Sequence, residues 1–137
     1  RDEFRAEKIL VEELLAKAEK LVQDLGLHYR VSRLAAKDCS ASMAKTLDIE
    51  VWIPSMNDYK EVSSASNARD YQARRGNMRF RRGGEKGTEF LHTLNASGLA
   101  TSRIIPAIVE QHQQADGSVL VPEVLRPAVG TDVLKPI

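Results

Sequence analysis

One cysteine, Cys39, stands in these 137 residues. A lone thiol excludes an internal disulfide framework and any cysteine-rich zinc site. Charge of one sign is equally lacking: 20 basic against 19 acidic side chains leave a formal net charge of +1. That excludes a uniformly basic nucleic-acid coat, though not a local basic patch. No apolar run approaches the length of a membrane span. There are no internal repeats and no low-complexity segments, and 28% charged with 42% hydrophobic residues is a globular mix. Glycine is clustered at Gly83-Gly84-Glu85-Lys86-Gly87, which matches neither a P-loop nor a dinucleotide fingerprint. His28, His92 and His112 show no metal-ligand spacing with one another or with Cys39, and Cys39 has no local histidine to make it a nucleophile. The expectation is one domain, without a signal peptide, in a reducing, cytoplasm-like compartment. An opening on Arg1 rather than Met points to a fragment or a processed product.

What is present is strongly patterned. Leu10, Leu14, Ala18, Leu21, Val22 and Leu25 recur at helical spacing, so residues 2–25 are predicted to form an amphipathic helix that Gly26 stops in a left-handed turn. His28 to Ala35 reads as a strand and residues 38–45 as a loop. Leu47, Ile49, Val51 and Ile53 alternate with Asp48, Glu50 and Trp52, the clearest strand in the chain. A connection over residues 54–58 leads into a returning strand, Tyr59 to Ala65. Residues 69–82 suggest a short helix weakened by Gly76. Glu89 to Leu94 suggests a strand. Residues 98–114 suggest a helix that starts near Ser102 or kinks at Pro106. Asp116-Gly117 reads as a turn before a short strand over 118–121, and the tail with Pro122, Pro127 and Pro136 as irregular. Hairpin strands with irregularly placed helices predict an α+β fold with a mainly antiparallel sheet flanked by helices.

Three groups of residues carry chemistry. The hairpin gathers Asp48, Glu50 and Glu61. With Glu50 opposite Glu61 they can share a divalent cation, with Ser63 and Ser64 adding hard oxygens; with Val51 opposite Glu61 no such site exists, and a solvated strand face is the alternative. Six arginines (69, 74, 75, 79, 81 and 82) against one acid, Asp70, suit either phosphate binding or ion pairing. Tyr71 and Phe80 are the only aromatics among them, too few for a base-stacking platform. Finally, Asn95-Ala-Ser-Gly98 joins a strand to a helix, and Arg103 follows in the first helical turns. A cation there opposes the helix dipole, a cost that either an anionic ligand or an acidic partner would relieve.

Glu61-Val-Ser-Ser-Ala-Ser-Asn67, Asp70-Tyr-Gln-Ala-Arg-Arg75 and His92-Thr-Leu-Asn-Ala-Ser-Gly-Leu-Ala100 with Arg103 together resemble the carboxyl-terminal half of seryl-tRNA synthetases. Ala44-Lys-Thr-Leu-Asp-Ile-Glu-Val-Trp-Ile-Pro54 and Asp116-Gly-Ser-Val-Leu-Val-Pro-Glu-Val-Leu-Arg-Pro127 extend the match through nearly the whole chain, in the family's order. The resemblance implies a class II synthetase catalytic domain, of which residues 1–137 would be the carboxyl-terminal portion. It implies a cytoplasmic serine--tRNA ligase that forms seryl-adenylate from serine and ATP with Mg²⁺, then charges tRNA(Ser), as a homodimer. Glu61, Val62, Ser63 and Ser64 would bind ATP, with Glu61 and Ser64 nearest the metal. Asn95 and Ser97 would meet serine. Arg103 would be the catalytic motif 3 arginine on the phosphate tail. Strict alternation puts Glu61 and Ser64 on opposite strand faces, so a bulge or strand end must lie between them.

The family's two cysteines in the Ser-Ser-Cys-Ser-Asn-Cys run are Ala65 and Ala68 here, and Pro106 replaces an ordinary apolar residue. Motif 1, motif 2 and the tRNA-binding arm are absent; Phe4-Arg-Ala-Glu7 matches the motif 2 core only superficially, in a helical run without its following loop. A chain like this on its own is expected to be inactive. The alternatives are a stand-alone synthetase-like binding or regulatory protein and an amino-acid:carrier-protein ligase.

Overall fold

The computed structural model describes residues 2–136, with side chains from Glu7 onward. In chain order the elements are α1 (Asp2–Asp24), β1 (Tyr29–Arg33), β2 (Lys45–Ile53), β3 (Asp58–Arg69), α2 (Tyr71–Gly76), β4 (Arg79–Phe80), β5 (Glu89–Phe90), β6 (Thr93–Asn95), α3 (Thr101–His112), β7 (Val119–Leu120), α4 (Arg126–Val129) and β8 (Val133–Leu134). Strands β1, β2, β3 and β6 form one antiparallel sheet in the order β1-β2-β3-β6. Helices α1 and α3 pack against it, giving the expected α+β architecture. No helix among the described residues is long and apolar enough to cross a membrane.

Helix α1 buries Val11, Ala18 and Val22, and Leu25 just after it is buried too. Leu10 and Leu21 of the predicted stripe are instead 48% and 45% exposed. Each precedes a buried residue by one position, which is about 100° around the helix and off the packed face. Gly26 ends the helix at φ +66°. The Leu27 amide then donates to the Val22 carbonyl (3.3 Å) and the Gly26 amide to that of Gln23 (2.9 Å). This is the two-bond stop that a left-handed residue permits, with Val22 and Leu27 both entering the core.

The core lies on one side of the sheet. Ile49, Val51, Ile53 and Val62 meet Ala18 and Val22 of α1, Leu25 just beyond it, and Ile104 and Ala107 of α3. Alternation along β2 sends Thr46, Asp48, Glu50 and Trp52 to the other side. Strand β3 runs to Arg69 rather than Ala65, because its far end pairs with β6 as well as β2.

Elsewhere long-range pairing overrides local pattern. The helix suggested over 69–82 ends at Gly76, where Asn77 turns left-handed at φ 49°. Arg79–Phe80 then forms a ribbon with Glu89–Phe90. The strand suggested over 89–94 is split between that ribbon and the main sheet. Pro106 sits inside α3 without ending it. It leaves the Ser102 carbonyl without an amide donor, and both residues are exposed, so water can serve that carbonyl. The tail is ordered rather than irregular: β8 pairs with β7, and Pro127 falls in the first turn of α4, where a missing N–H costs nothing.

Candidate functional site

Strand β3 carries one residue too many. Asp48 pairs with Ser64 and Ile49 with Ser63, but Glu50 pairs with Glu61, so Val62 is unpaired in a bulge. The bulge turns Val62 and Ser63 both inward: Val62 is in the core and Ser63 is 1% exposed. It also returns Glu61 and Ser64 to one face, together with Asp48 and Glu50. This is the break in alternation that the spacing of Glu61 and Ser64 requires, with the register that places Glu50, not Val51, across from Glu61. Val62 and Ser63 therefore offer this face backbone groups only. The Ser63 hydroxyl donates instead to the Ser97 carbonyl (2.8 Å).

The polar face is a connected network. Ser64 donates to Asp48 Oδ1 (2.6 Å), and Thr46 and Ser66 share a hydrogen bond of 2.9 Å. Ser32 donates to Glu50 Oε2 (3.0 Å), which also takes the Arg30 guanidinium. Arg30 lies over the Tyr59 ring at 4.2 Å. Asn95 joins this face through its pairing with Ser66. Arg30 and Ser32 are not singled out by motif or composition and are revealed by the β1–β2 register, while the β2–β3 register pairs Thr46 with Ser66. Burial pushes the Asp48 carboxyl above its ordinary value. The Ser64 hydrogen bond opposes that shift, and the charges of Glu61 and Glu50 add to it.

Arg103 reaches this face from the first turn of α3. The Ala100 amide donates to the Val62 carbonyl (2.7 Å), docking the start of the helix against the bulge. Arg103 Nη1 then donates to the Glu61 carbonyl oxygen (2.6 Å) and lies 3.5 Å from its carboxylate. An arginine that opposes the helix dipole is thus compensated by Glu61, and both side chains remain accessible, 49% and 41% exposed. Ser97 is exposed. Its carbonyl is held from the core side, and with Ala96 and Gly98 it lines a shallow cavity against Leu14, Lys17 and Leu21 of α1.

Among the described residues no three acidic, histidine or cysteine side chains form a metal cage. Glu61 and Ser64 fit the other mode of divalent-cation binding, in which one or two protein oxygens join oxygens from a ligand phosphate. The arginine-rich segment is largely engaged in its own fold. Arg74 pairs with Asp70 and Arg82 with Glu89. Arg74 and Arg79 both lie over Phe90, and Arg75 lies over Tyr71. The histidines also serve the fold: His28 bonds the Tyr59 hydroxyl, His112 bonds the Leu25 carbonyl and His92 contacts Glu7.

The family model for the tRNA synthetase class II core domain (G, H, P, S and T) matches residues 6–112. The chain is 74% identical over 124 residues to serine--tRNA ligase 2 of Clostridium acetobutylicum, covering 90% of this chain and 29% of that protein. It is 58% identical over 120 residues to the serine--tRNA ligase of Syntrophobacter fumaroxidans, covering 88% and 28%. The structure superposes on seryl-tRNA synthetase from Pyrococcus horikoshii complexed with ATP with a TM-score of 0.90 and 42% identity, over 93% of this chain and 29% of that one. Cytoplasmic serine-tRNA ligase from Naegleria fowleri in complex with AMP gives a TM-score of 0.84 and 38% identity, over 92% and 30%. The chain spans less than a third of the length of these relatives.

Proposed function

Because the chain belongs to the class II tRNA synthetase core domains, we propose that it supplies part of the ATP and serine site of a serine--tRNA ligase. The bulge at Val62 carries this reading: it places Glu61 and Ser64 on one polar face within reach of Arg103. The high identity to a serine--tRNA ligase supports serine as the amino acid and tRNA(Ser) as the acceptor. Residues 1–137 would be the carboxyl-terminal, motif 3 portion of the catalytic domain. The rest of the site, the contacts to tRNA and the surface of a homodimer would come from outside it. The working compartment is the cytoplasm.

In the reaction the serine carboxylate attacks the α-phosphorus of ATP, the bond to the β-phosphate oxygen breaks, and pyrophosphate leaves. The seryl group then passes to the terminal adenosine of tRNA, releasing AMP. No side chain need exchange a proton in the first step; it needs positioned reactants and neutralised phosphate charge. Arg103 holds the phosphate tail with its planar fork. The Glu61–Arg103 pair is preassembled and accessible, so Arg103 would be available to an incoming phosphate and Glu61 to a cation. Glu61 and Ser64 would hold Mg²⁺, which supplies charge neutralisation on the phosphates when bound. Val62 and Ser63 contribute through the backbone of the bulge that sets this geometry, and Asn95 and Ser97 are assigned to the serine end.

The test is a hybrid ligase in which this chain replaces the matching 124 residues of the Clostridium acetobutylicum protein. It is expected to catalyse serine-dependent exchange of pyrophosphate into ATP. Arg103→Ala is expected to lower that exchange at least tenfold, about 1.4 kcal/mol of lost transition-state stabilisation. Unchanged exchange removes Arg103 from the site.

A further inference from the structure

A serine hydroxyl has one proton and two lone pairs. A cation takes a lone pair, so the proton must be held away from it. The polar face offers three carboxylates to receive that proton: Asp48, Glu50 and Glu61. Glu50 is occupied by Arg30 and Ser32 through Oε2. Glu61 is the accessible partner of Arg103, and the proposed cation ligand. Asp48 lies directly across the strand pair from Ser64, is 6% exposed, and accepts the Ser64 hydroxyl at 2.6 Å. The hydroxyl proton thus points across the strand pair to Asp48, and the remaining lone pairs of Oγ point away from Asp48.

We propose that Asp48 is a positioning residue: by accepting the Ser64 proton it turns the Ser64 lone pairs outward beside Glu61 and makes that pair competent for a divalent cation. The inference rests on the reading of Glu61 and Ser64 as the cation-holding residues. Asp48 acts through Ser64, not as a ligand, because it is buried whereas Glu61 is 41% exposed. Without it, the hydroxyl rotor is free to turn its proton toward Glu61, which occupies a Glu61 lone pair and withdraws the Ser64 one. Partners that orient metal ligands are typically worth about 10–100-fold in metal affinity.

The experiment measures ATP binding to the hybrid ligase by calorimetry, with and without Mg²⁺, and reads the ratio of the two affinities. Asp48→Val suits a buried strand position and accepts no hydrogen bond. It is expected to reduce the ratio at least tenfold, leaving Mg²⁺-free ATP binding and the KM for serine unchanged. Asp48→Asn keeps an acceptor oxygen for Ser64 and is expected to stay within about threefold of the parent. Asp48→Ala provides the same comparison if the valine variant does not fold. An equal loss in Asn and Val variants overturns the proposal in favour of Asp48 acting by its own charge. No loss in either leaves Asp48 a folding residue only, and also overturns it. Glu61→Gln and Ser64→Ala serve as the separate control: if neither changes the ratio, the cation reading itself fails.

Discussion

Glu7 shows how one side chain can mimic a motif and do other work. Its carboxylate is mostly buried beneath α1, accepts a hydrogen bond from Asn67 (2.9 Å) and contacts His92. It therefore ties α1 to β3 and to the start of β6, on the side of the sheet where the helices pack. Phe4, Arg5 and Ala6, which complete its likeness to motif 2, have side chains outside the described residues. Burial works to raise the Glu7 pKa, but the bonds from Asn67 and His92 and the charges of His92 and Arg69 outweigh it, so the net value is lowered. A lowered folded-state pKa gives stability that is complete above the unfolded value and is lost as pH falls through the folded one. The denaturant midpoint is therefore expected to fall on the acid side of about pH 4. Glu7→Gln should be less stable at neutral pH and show a shallower acid decline. Parallel curves for the two proteins would contradict this.

At the scale of elements, the two decisive features are a helix stop and a bulge. An alanine at position 26 would keep a positive φ that alanine disfavours and place its Cβ 3.5 Å from the His112 ring. Gly26→Ala is expected to cost about 1–2 kcal/mol in chemical denaturation. Gly83→Ala, with nothing within 4 Å of the added carbon, should change stability by less than about 0.5 kcal/mol. Pro106→Ala restores a donor for the Ser102 carbonyl and should stabilise α3 by about 1–3 kcal/mol, read as a raised denaturant midpoint. Features of this kind are legible in the sequence when they are local. The α1 stripe, its glycine stop and the alternation of β2 are written into adjacent residues. Even the bulge is partly legible, since the roles that the resemblance implies for Glu61 and Ser64 require either a bulge or a strand end between them, and the register shows the bulge. The split of residues 89–95 between two sheets is not, because it depends on which distant strand each half meets: Arg79–Phe80 for one and the end of β3 for the other. The ordered tail escaped for the same reason, since β8 exists only against β7.

At the scale of the whole molecule, a nearly neutral chain separates its chemistry by face. One side of the sheet is spent on the core with α1 and α3; the other collects hydroxyls, carboxylates and Arg103. The arginines of residues 69–82, the most conspicuous feature of the composition, largely serve local ion pairs and ring contacts, so composition points away from the site. A second surface is apolar. Ile105 (60% exposed), Val109, Val129 and Leu134 line an apolar cavity of about 180 Å³ between α3 and the β7–β8 ribbon. Exposed apolar area of this kind promotes association. The isolated chain is expected to sediment in a concentration-dependent way, and Ile105→Lys to reduce that dependence; ideal monomer behaviour at all concentrations would contradict it.

We propose that the nucleotide and its cation meet this chain on the bulged polar face. The most direct measurement is the anomalous scattering of Mn²⁺ in crystals of the hybrid ligase grown with ATP. The expected peak lies within about 2.2 Å of oxygens of Glu61 and Ser64, with Arg103 swung onto the phosphate tail. A peak held by Asp48 and Glu50 instead, or a nucleotide seated on the Arg74–Arg82 segment, would contradict it.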